Sequence, residues 1–154
     1  MDQLRIGELT KEMVAEELRL LGDPCAAAAS VVRKALTAAL ASAPVDGTPP
    51  VRVIEDAVKG AMTALLLADH SLARGAILVL EAVHDVAGEC HLDPTESMRA
   101  ALRALAELRR VVEPARLDDI RLGIEAHYMG AGEVFVEFLR VPDAPAPSPS
   151  PIAR

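Results

Sequence analysis

Residues 23–40 read DPCAAAASVVRKALTAAL, and this stretch decides the fold class. Asp23 followed by Pro24 is a strong helix-start signal, because aspartate caps free N–H groups and proline tolerates the first helical position. The four alanines that follow have the highest helix propensity of any residue. Apolar residues then recur at helical spacing, namely Ala28, Val31, Val32, Ala35, Leu36, Ala39 and Leu40. The stretch predicts an Ala-rich helix that ends near Pro44.

The whole chain shares this composition. It has 154 residues, of which 51% are hydrophobic but only 2% aromatic, and it contains no Trp. It uses the helix formers Ala, Leu, Glu and Arg rather than the β-branched and aromatic residues that sheets require. Its length is that of about one domain. We therefore predict an all-α fold, a compact bundle of five or six Ala-rich helices, with residues 1–141 as the bundle domain.

Other helix boundaries follow from capping residues, prolines and glycines. Thr10 is predicted to cap a first helix that ends at Gly22. The apolar face of that helix would consist of Met13, Val14, Leu18 and Leu21. Asp93 and Pro94 give a second Asp-Pro start signal. Pro114 is predicted to end the helix that follows.

Helical composition runs without interruption from about Val51 to Cys90. A single helix of that length would be roughly 60 Å long at ~1.5 Å per residue, which a compact domain cannot contain. We predict a break at Asp69-His70-Ser71, where two residues with N-cap preference occur. The last helix is predicted to begin near Leu117, with glycines near its middle as candidate interruptions.

The C-terminal residues 142–154 have a different composition, rich in Pro, Ser and Ala. Proline has no backbone N–H and cannot contribute to a regular hydrogen-bond ladder. We therefore predict that residues 142–154 form a disordered tail outside the fold.

A base next to a small residue, among apolar neighbours, recurs in five segments of the predicted helices. These segments are Val32–Leu36, Val58–Met62, Ala73–Ile77, Met98–Leu102 and Ile120–Ile124. Glycine inside a helix costs up to about 1 kcal/mol relative to alanine, so its presence needs a reason. We predict that Gly60, Gly75 and Gly123 mark helix crossings too close for a methyl group.

Charge and cysteine content indicate the compartment. The net charge of −7 disfavours nucleic-acid binding through a general positive field. The longest uncharged apolar stretches fall short of the ~20 residues that cross a bilayer, and the N-terminal residues lack an apolar signal core. Cys25 and Cys90 are too few for a disulfide framework and match no metal-binding pair spacing. We expect a cytoplasmic protein without a membrane segment.

The motif Glu81-Ala82-Val83-His84 places a carboxylate and an imidazole on one helix face, as in di-metal carboxylate bundles. Those sites need a second Glu-x-x-His and two further carboxylates, whereas this chain offers only Glu55, Glu125 and His127 as additional candidates. The alternative is that Glu81 and His84 are ordinary surface residues. No cofactor is predicted other than this candidate metal ion.

A mononuclear metal site is the second possibility. His84 and His91 are seven residues apart, which would place them on one helix face, with Cys90 or Asp85 nearby. The alternative is that His91 lies at a helix C-terminus, where its charge would interact favourably with the helix dipole. The sequence thus gives Glu81, His84 and His91 as the metal-ligating candidates.

Other chemically suggestive residues have structural explanations. Cys25 lies in the first turn of a helix, which lowers a thiol pKa in some proteins, but the surrounding alanines favour a buried structural cysteine. The most basic stretch contains Arg99, Arg103, Arg109, Arg110 and Arg116. Glu96 and Glu107 are interleaved with it, which favours ion pairs within the helix. The few aromatic residues are expected to fill one end of the core.

Three functions remain open from the sequence. We favour a non-catalytic assembly or protein-interaction module that forms homodimers or binds another helical protein through its Ala-rich faces. The alternative is a small-ligand or metal-binding enzyme, with Glu81, His84, Glu125 and His127 converging between helices. A third is an adaptor for nucleic-acid machinery that uses the Arg99–Arg121 stretch.

Overall fold

The fold is all-α, and the predicted bundle is confirmed. A computed structural model describes residues 7, 10–12, 22–68 and 71–140, with the backbone alone for residues 42–46. This part of the chain contains six α-helices whose bounds are described, one 3₁₀ turn, further helical residues at positions 7 and 10–12, and no strand. The helices are α1 (Pro24–Asp46), α2 (Pro50–Leu67), α3 (Leu72–Glu89), α4 (Pro94–Ala106), α5 (Pro114–His127) and α6 (Ala131–Arg140), with the 3₁₀ turn at Glu107–Arg110.

Three predicted helix starts are observed together with their caps. The Asp23 carboxylate accepts a hydrogen bond from Ala26 N at 3.3 Å. The Asp93 carboxylate accepts from Thr95 N and Glu96 N at 2.8 and 3.2 Å. The Ser71 hydroxyl accepts from Arg74 N at 3.3 Å, so the predicted break between α2 and α3 is real. Short polar side chains satisfy the first N–H groups of each of these helices.

The N-terminal prediction needs correction. Gly7 and residues 10–12 are already helical, so Thr10 does not cap a helix that begins there. Its side chain is instead completely buried. The predicted apolar face made by Met13 and its partners lies outside the described residues, as do Asp69, His70 and the tail from residue 141.

Two prolines act differently from the prediction. Helix α1 continues through Pro44 to Asp46 and ends at Gly47, whose φ of 76° is left-handed. Pro44 has no N–H group to donate to the carbonyl oxygen four residues earlier, so this last turn lacks one backbone hydrogen bond. Pro114 is the first residue of α5, and Glu113 occupies its N-cap position. The last helix of the prediction is two helices, separated at Gly130, where φ is 91°.

Helix α3 lies at the centre of the packing. It contacts α1, α2, α4 and α5, while α6 packs against α4 and α5. The core is aliphatic, as the composition indicated, and Phe135 is the one aromatic side chain fully buried in the described part of the chain. Fully buried alanines line the crossings, including Ala57, Ala61, Ala76, Ala82 and Ala101. Small side chains bring the helix backbones close together.

The predicted close crossings are confirmed at two of three glycines. A Cβ atom on Gly60 would collide with the carbonyl oxygen of Gly7, and one on Gly75 would collide with Cδ1 of Leu65. At Gly123 the prediction is wrong, because an added Cβ would lie 3.6 Å from Ile77 in ordinary van der Waals contact. The tightest crossing therefore joins α2 to the N-terminal helical segment.

Candidate functional site

The metal-ligating candidates lie on the surface. Glu81 and His84 are exposed on α3. Helix α3 ends at Glu89, and His91 follows with a left-handed φ of 59°, so His91 does not share a helix face with His84. Within the described residues, no group of three or more His, Cys, Asp or Glu side chains is placed to hold a metal ion. The metal site remains a prediction, which elemental analysis of protein purified without chelators would test.

The remaining residues of the enzyme alternative have structural partners. The Glu125 carboxylate accepts hydrogen bonds from Gly130 N and Gly132 N, both at 2.9 Å. His127 is exposed, and its Nδ1 lies 3.2 Å from the carbonyl oxygen of Gly123. Glu55 forms an ion pair with Arg103 at 2.7 Å. These interactions stabilise a turn and connect side chains at the surface, and they do not bring the residues together in a closed polar pocket.

The two cysteines differ in exposure. Cys25 is buried, as predicted, and its thiol donates a hydrogen bond to the carbonyl oxygen of Ser71 at 3.3 Å. Burial raises the pKa of the Cys25 thiol, with smaller opposing effects from Arg74. Cys90 caps the C-terminus of α3 and is half-buried. Cys25 is therefore a structural residue, whereas Cys90 lines the apolar groove at one end of the bundle that is described below.

The basic stretch is largely paired with carboxylates. Arg110 contacts Glu107 at 3.1 Å, and Arg121 contacts Asp118 at 2.9 Å, each within one helical turn. The guanidinium groups of Arg99 and Arg103 lie 5.1 and 5.0 Å from the centre of the Phe138 ring. The carboxylates of Glu107 and Asp118 weaken the positive field that a nucleic-acid surface needs.

The outer face of α5 carries an uncovered apolar stripe. Three apolar residues, Ala115, Leu122 and Ala126, follow helical spacing on this face together with one carboxylate, Asp119, and all four are exposed. Leu122 is 53% exposed, and Met129, just beyond the helix, is 93% exposed. The opposite face of α5 buries Leu117, Ile120 and Ile124 in the core. We call these four residues together with Met129 the α5 stripe.

A second apolar surface lies at one end of the bundle, where α1 and α3 end and α2 begins. We call it the end groove; it has a volume of about 620 Å³ and is lined by Thr37, Leu40, Ala41, Gly47, Thr48, Pro50, Cys90 and Leu92. Of these described lining residues, Cys90 is the one titratable group. The end groove is therefore suited to an apolar occupant.

An adjoining hollow shares Pro50 and Leu92 with the end groove. We call it the acidic recess; it has a volume of about 270 Å³ and is lined by Pro49, Pro50, Val51, Leu92, Asp93, Glu96 and Ser97. It lies where the first residues of α2 and α4 meet. Its described charged side chains, Asp93 and Glu96, are both carboxylates.

Sequence reasoning missed these three surfaces. The α5 stripe had a signal, because apolar residues occur on both faces of that helix, at Leu117 and Leu122 for example. The end groove and the acidic recess had none. Their walls come from four helix ends and two loops that are up to 60 positions apart, from Thr37 to Ser97.

Comparisons with known proteins add no relative. No family model, curated protein or solved structure matches this chain. In the described part of the chain, no helix combines the length and the apolar character needed to cross a membrane.

Proposed function

We propose that this chain is a non-catalytic helical interaction module that forms a homodimer through the α5 stripe. The observation that carries the proposal is the exposure of Leu122, on a helix whose opposite face is already buried, and of Met129 just beyond the end of that helix. A large apolar side chain that is exposed between small residues on one helix face is a candidate contact surface. The free cysteines, Cys25 and Cys90, fit a reducing compartment, and we propose a cytoplasmic location.

The residues of the stripe suit a helix as partner. Ala115 and Ala126 flank Leu122 and have little bulk, so a second helix could approach the backbone closely on either side of the leucine. A two-fold contact uses the same patch on both subunits. With the two-fold axis near Leu122, the Leu122 side chains of the two subunits would pack together. The N-terminal part of the stripe on one subunit would then face the C-terminal part of the stripe on the other.

Substituting Leu122→Glu tests the proposal. We expect the parent chain to be a dimer at micromolar concentration by size-exclusion chromatography with light scattering. The variant should be a monomer with unchanged helix content, because two carboxylates would be desolvated at the centre of the contact. Leu67→Glu is the matched control, since Leu67 is 74% exposed on α2, outside the stripe.

A parent chain that is monomeric at these concentrations would contradict self-association. If Leu67→Glu dissociated the dimer and Leu122→Glu did not, the dimer would use another surface. Both outcomes are read from the mass alone, without a functional assay.

A further inference from the structure

The end groove and the acidic recess together have the features of a ligand site. The end groove has the size of small-molecule sites, which range over roughly 300–1,000 Å³, and it presents leucine, alanine and proline surfaces. The recess continues it through Pro50 and Leu92. One molecule could therefore occupy both, with an apolar body in the groove and a polar head in the recess.

Ser97 supplies an independent indication of a ligand. It is only 3% exposed, it lines the recess, and its hydroxyl has no hydrogen-bond partner in the part of the chain that the structure describes. Buried hydroxyl groups are nearly always hydrogen-bonded, so a head group that bonds to Ser97 Oγ would satisfy this one. A serine hydroxyl both donates and accepts, so it does not by itself select the ligand's charge.

The carboxylates beside Ser97 select the charge. Asp93 Oδ1 is occupied by the N–H groups of Thr95 and Glu96, and no described group binds Asp93 Oδ2 or the Glu96 carboxylate. No Lys or Arg lines the recess or the end groove among the described residues. An anionic head would be repelled here, whereas a cationic head would be attracted.

We propose that these two hollows form one binding site for an amphiphile with an aliphatic chain and a primary ammonium head. The chain lies in the end groove against Leu40 and Leu92. The ammonium group donates hydrogen bonds to Ser97 Oγ and pairs with the carboxylates of Asp93 and Glu96. The site shares no residue with the α5 stripe, so the oligomeric state does not affect its test.

Three ten-carbon probes that differ only in the head group test the assignment: decylamine, decanol and decanoate. Isothermal titration calorimetry should give the tightest binding for decylamine, with decanoate at least about tenfold weaker. Cys90 provides a second readout because it lines the end groove, whereas Cys25 is buried and serves as an internal control. Decylamine should slow alkylation of Cys90 in a saturable way, as measured by mass spectrometry.

Variants separate the head group from the chain. Ser97→Ala should weaken decylamine binding about tenfold through loss of a hydrogen bond to a charged group. Asp93→Asn keeps a good helix cap while removing the charge, and Glu96→Gln removes the other charge; each should weaken binding of decylamine but not of decanol. Glu113→Gln, at the N-cap position of α5 and outside the lining of both hollows, is the matched control and should change neither.

Ala41→Phe tests whether the chain uses the groove. Ala41 is exposed and lines the groove, so the added ring fills it without disturbing the core. Binding of both decylamine and decanol should be lost. The proposal is overturned if decylamine does not protect Cys90, if decanoate or decanol binds as tightly as decylamine, or if Ala41→Phe leaves binding unchanged.

Discussion

At Gly60 the missing side chain lets two helical segments meet backbone to backbone. A Cβ atom there would collide with the carbonyl oxygen of Gly7 and lie 3.1 Å from the Cβ of Thr10. Backbone atoms cannot move aside as a flexible side chain can. At Gly75 the obstacle is the methyl end of Leu65, which can change its rotamer, and at Gly123 there is room for a methyl group. Three similar sequence contexts thus have three different structural consequences.

Gly60→Ala should destabilise the protein by about 1–2 kcal/mol, because overpacking outweighs the gain in helix propensity. Gly123→Ala is the matched control and should stabilise it by up to about 1 kcal/mol, since the methyl group fits and alanine favours the helix. Urea unfolding of both variants measures the difference. Equal effects of the two substitutions would show that Gly60 is not at a close crossing.

The ion pair between Asp23 and Arg74 joins the start of α1 to the start of α3. Arg74 Nη2 lies 2.7 Å from Asp23 Oδ2, and Ala26 N adds a further hydrogen bond. These bonds lower the pKa of the Asp23 carboxyl group from 3.8 to about 2, with Arg74 as the main cause. The unfolded chain therefore binds this proton more readily than the folded one. The stabilisation is complete above pH 3.8 and is lost as the pH falls through about 2.

Asp23→Asn should lower the urea midpoint at neutral pH, and its difference from the parent should shrink as the pH falls from 3.8 towards 2. Asparagine keeps the capping function, so the change isolates the charge. In an Arg74→Gln background the pH-dependent part of the difference should be smaller. A difference that stayed constant with pH would contradict a role for this ion pair.

At the scale of elements, the turn between α5 and α6 depends on one carboxylate. Glu125, near the end of α5, accepts hydrogen bonds from the N–H groups of Gly130 and Gly132. Although Glu125 belongs to the preceding helix, its carboxylate caps N–H groups at the start of α6 as an N-cap side chain would. Position 132 also requires a glycine, because a Cβ atom there would lie only 2.7 Å from Glu125 Oε1. The start of α6 is thus fixed by a side chain of the preceding helix, five to seven residues away in the chain.

Glu125→Ala should destabilise α6 by about 1–2 kcal/mol, because two N–H groups lose their acceptor. Hydrogen exchange of the α6 amides should accelerate, while the amides of α3 remain protected. Glu137→Ala is the control, because Glu137 is an exposed carboxylate within α6. Uniform acceleration across the bundle would indicate general destabilisation instead.

For the whole molecule, Phe135 is the main anchor of the C-terminal helix. It is fully buried and belongs to the core, whereas Phe138, one turn later, is half-buried beneath Arg99 and Arg103. Sequence patterning expected the aromatic residues to fill one end of the core, and this is confirmed at Phe135. The other buried core residues that the structure describes are not aromatic. No neighbouring ring could therefore fill the volume that Phe135 occupies.

Phe135→Ala should destabilise the protein by about 3–5 kcal/mol through lost burial and a cavity. Phe138→Ala should have a smaller effect, about 1 kcal/mol, because its ring is only partly buried at the edge of the core and lies beneath two arginine side chains. Urea unfolding compares the two. Similar losses would contradict the assignment of Phe135 as the anchor of α6.

The candidate surfaces were less predictable than the fold. The sequence motif that suggested chemistry, from Glu81 to His91, lies on exposed surface, and the left-handed residue at His91 turns the chain away from the helix face. Periodicity describes a helix face only as far as the helix continues. The end groove depends on the relative positions of helix ends, on which periodicity gives no information.

Sequence patterns alone predict the helices and most of their starts, because capping, proline position and helix propensity act over a few neighbouring residues. Asp23, Ser71 and Asp93 were all identifiable in this way. The packing of the helices against one another sets which glycines are indispensable and which apolar residues remain uncovered. Those features depend on the approach of residues far apart in the chain, such as Gly7 to Gly60, and Pro50 and Leu92, which line the same groove.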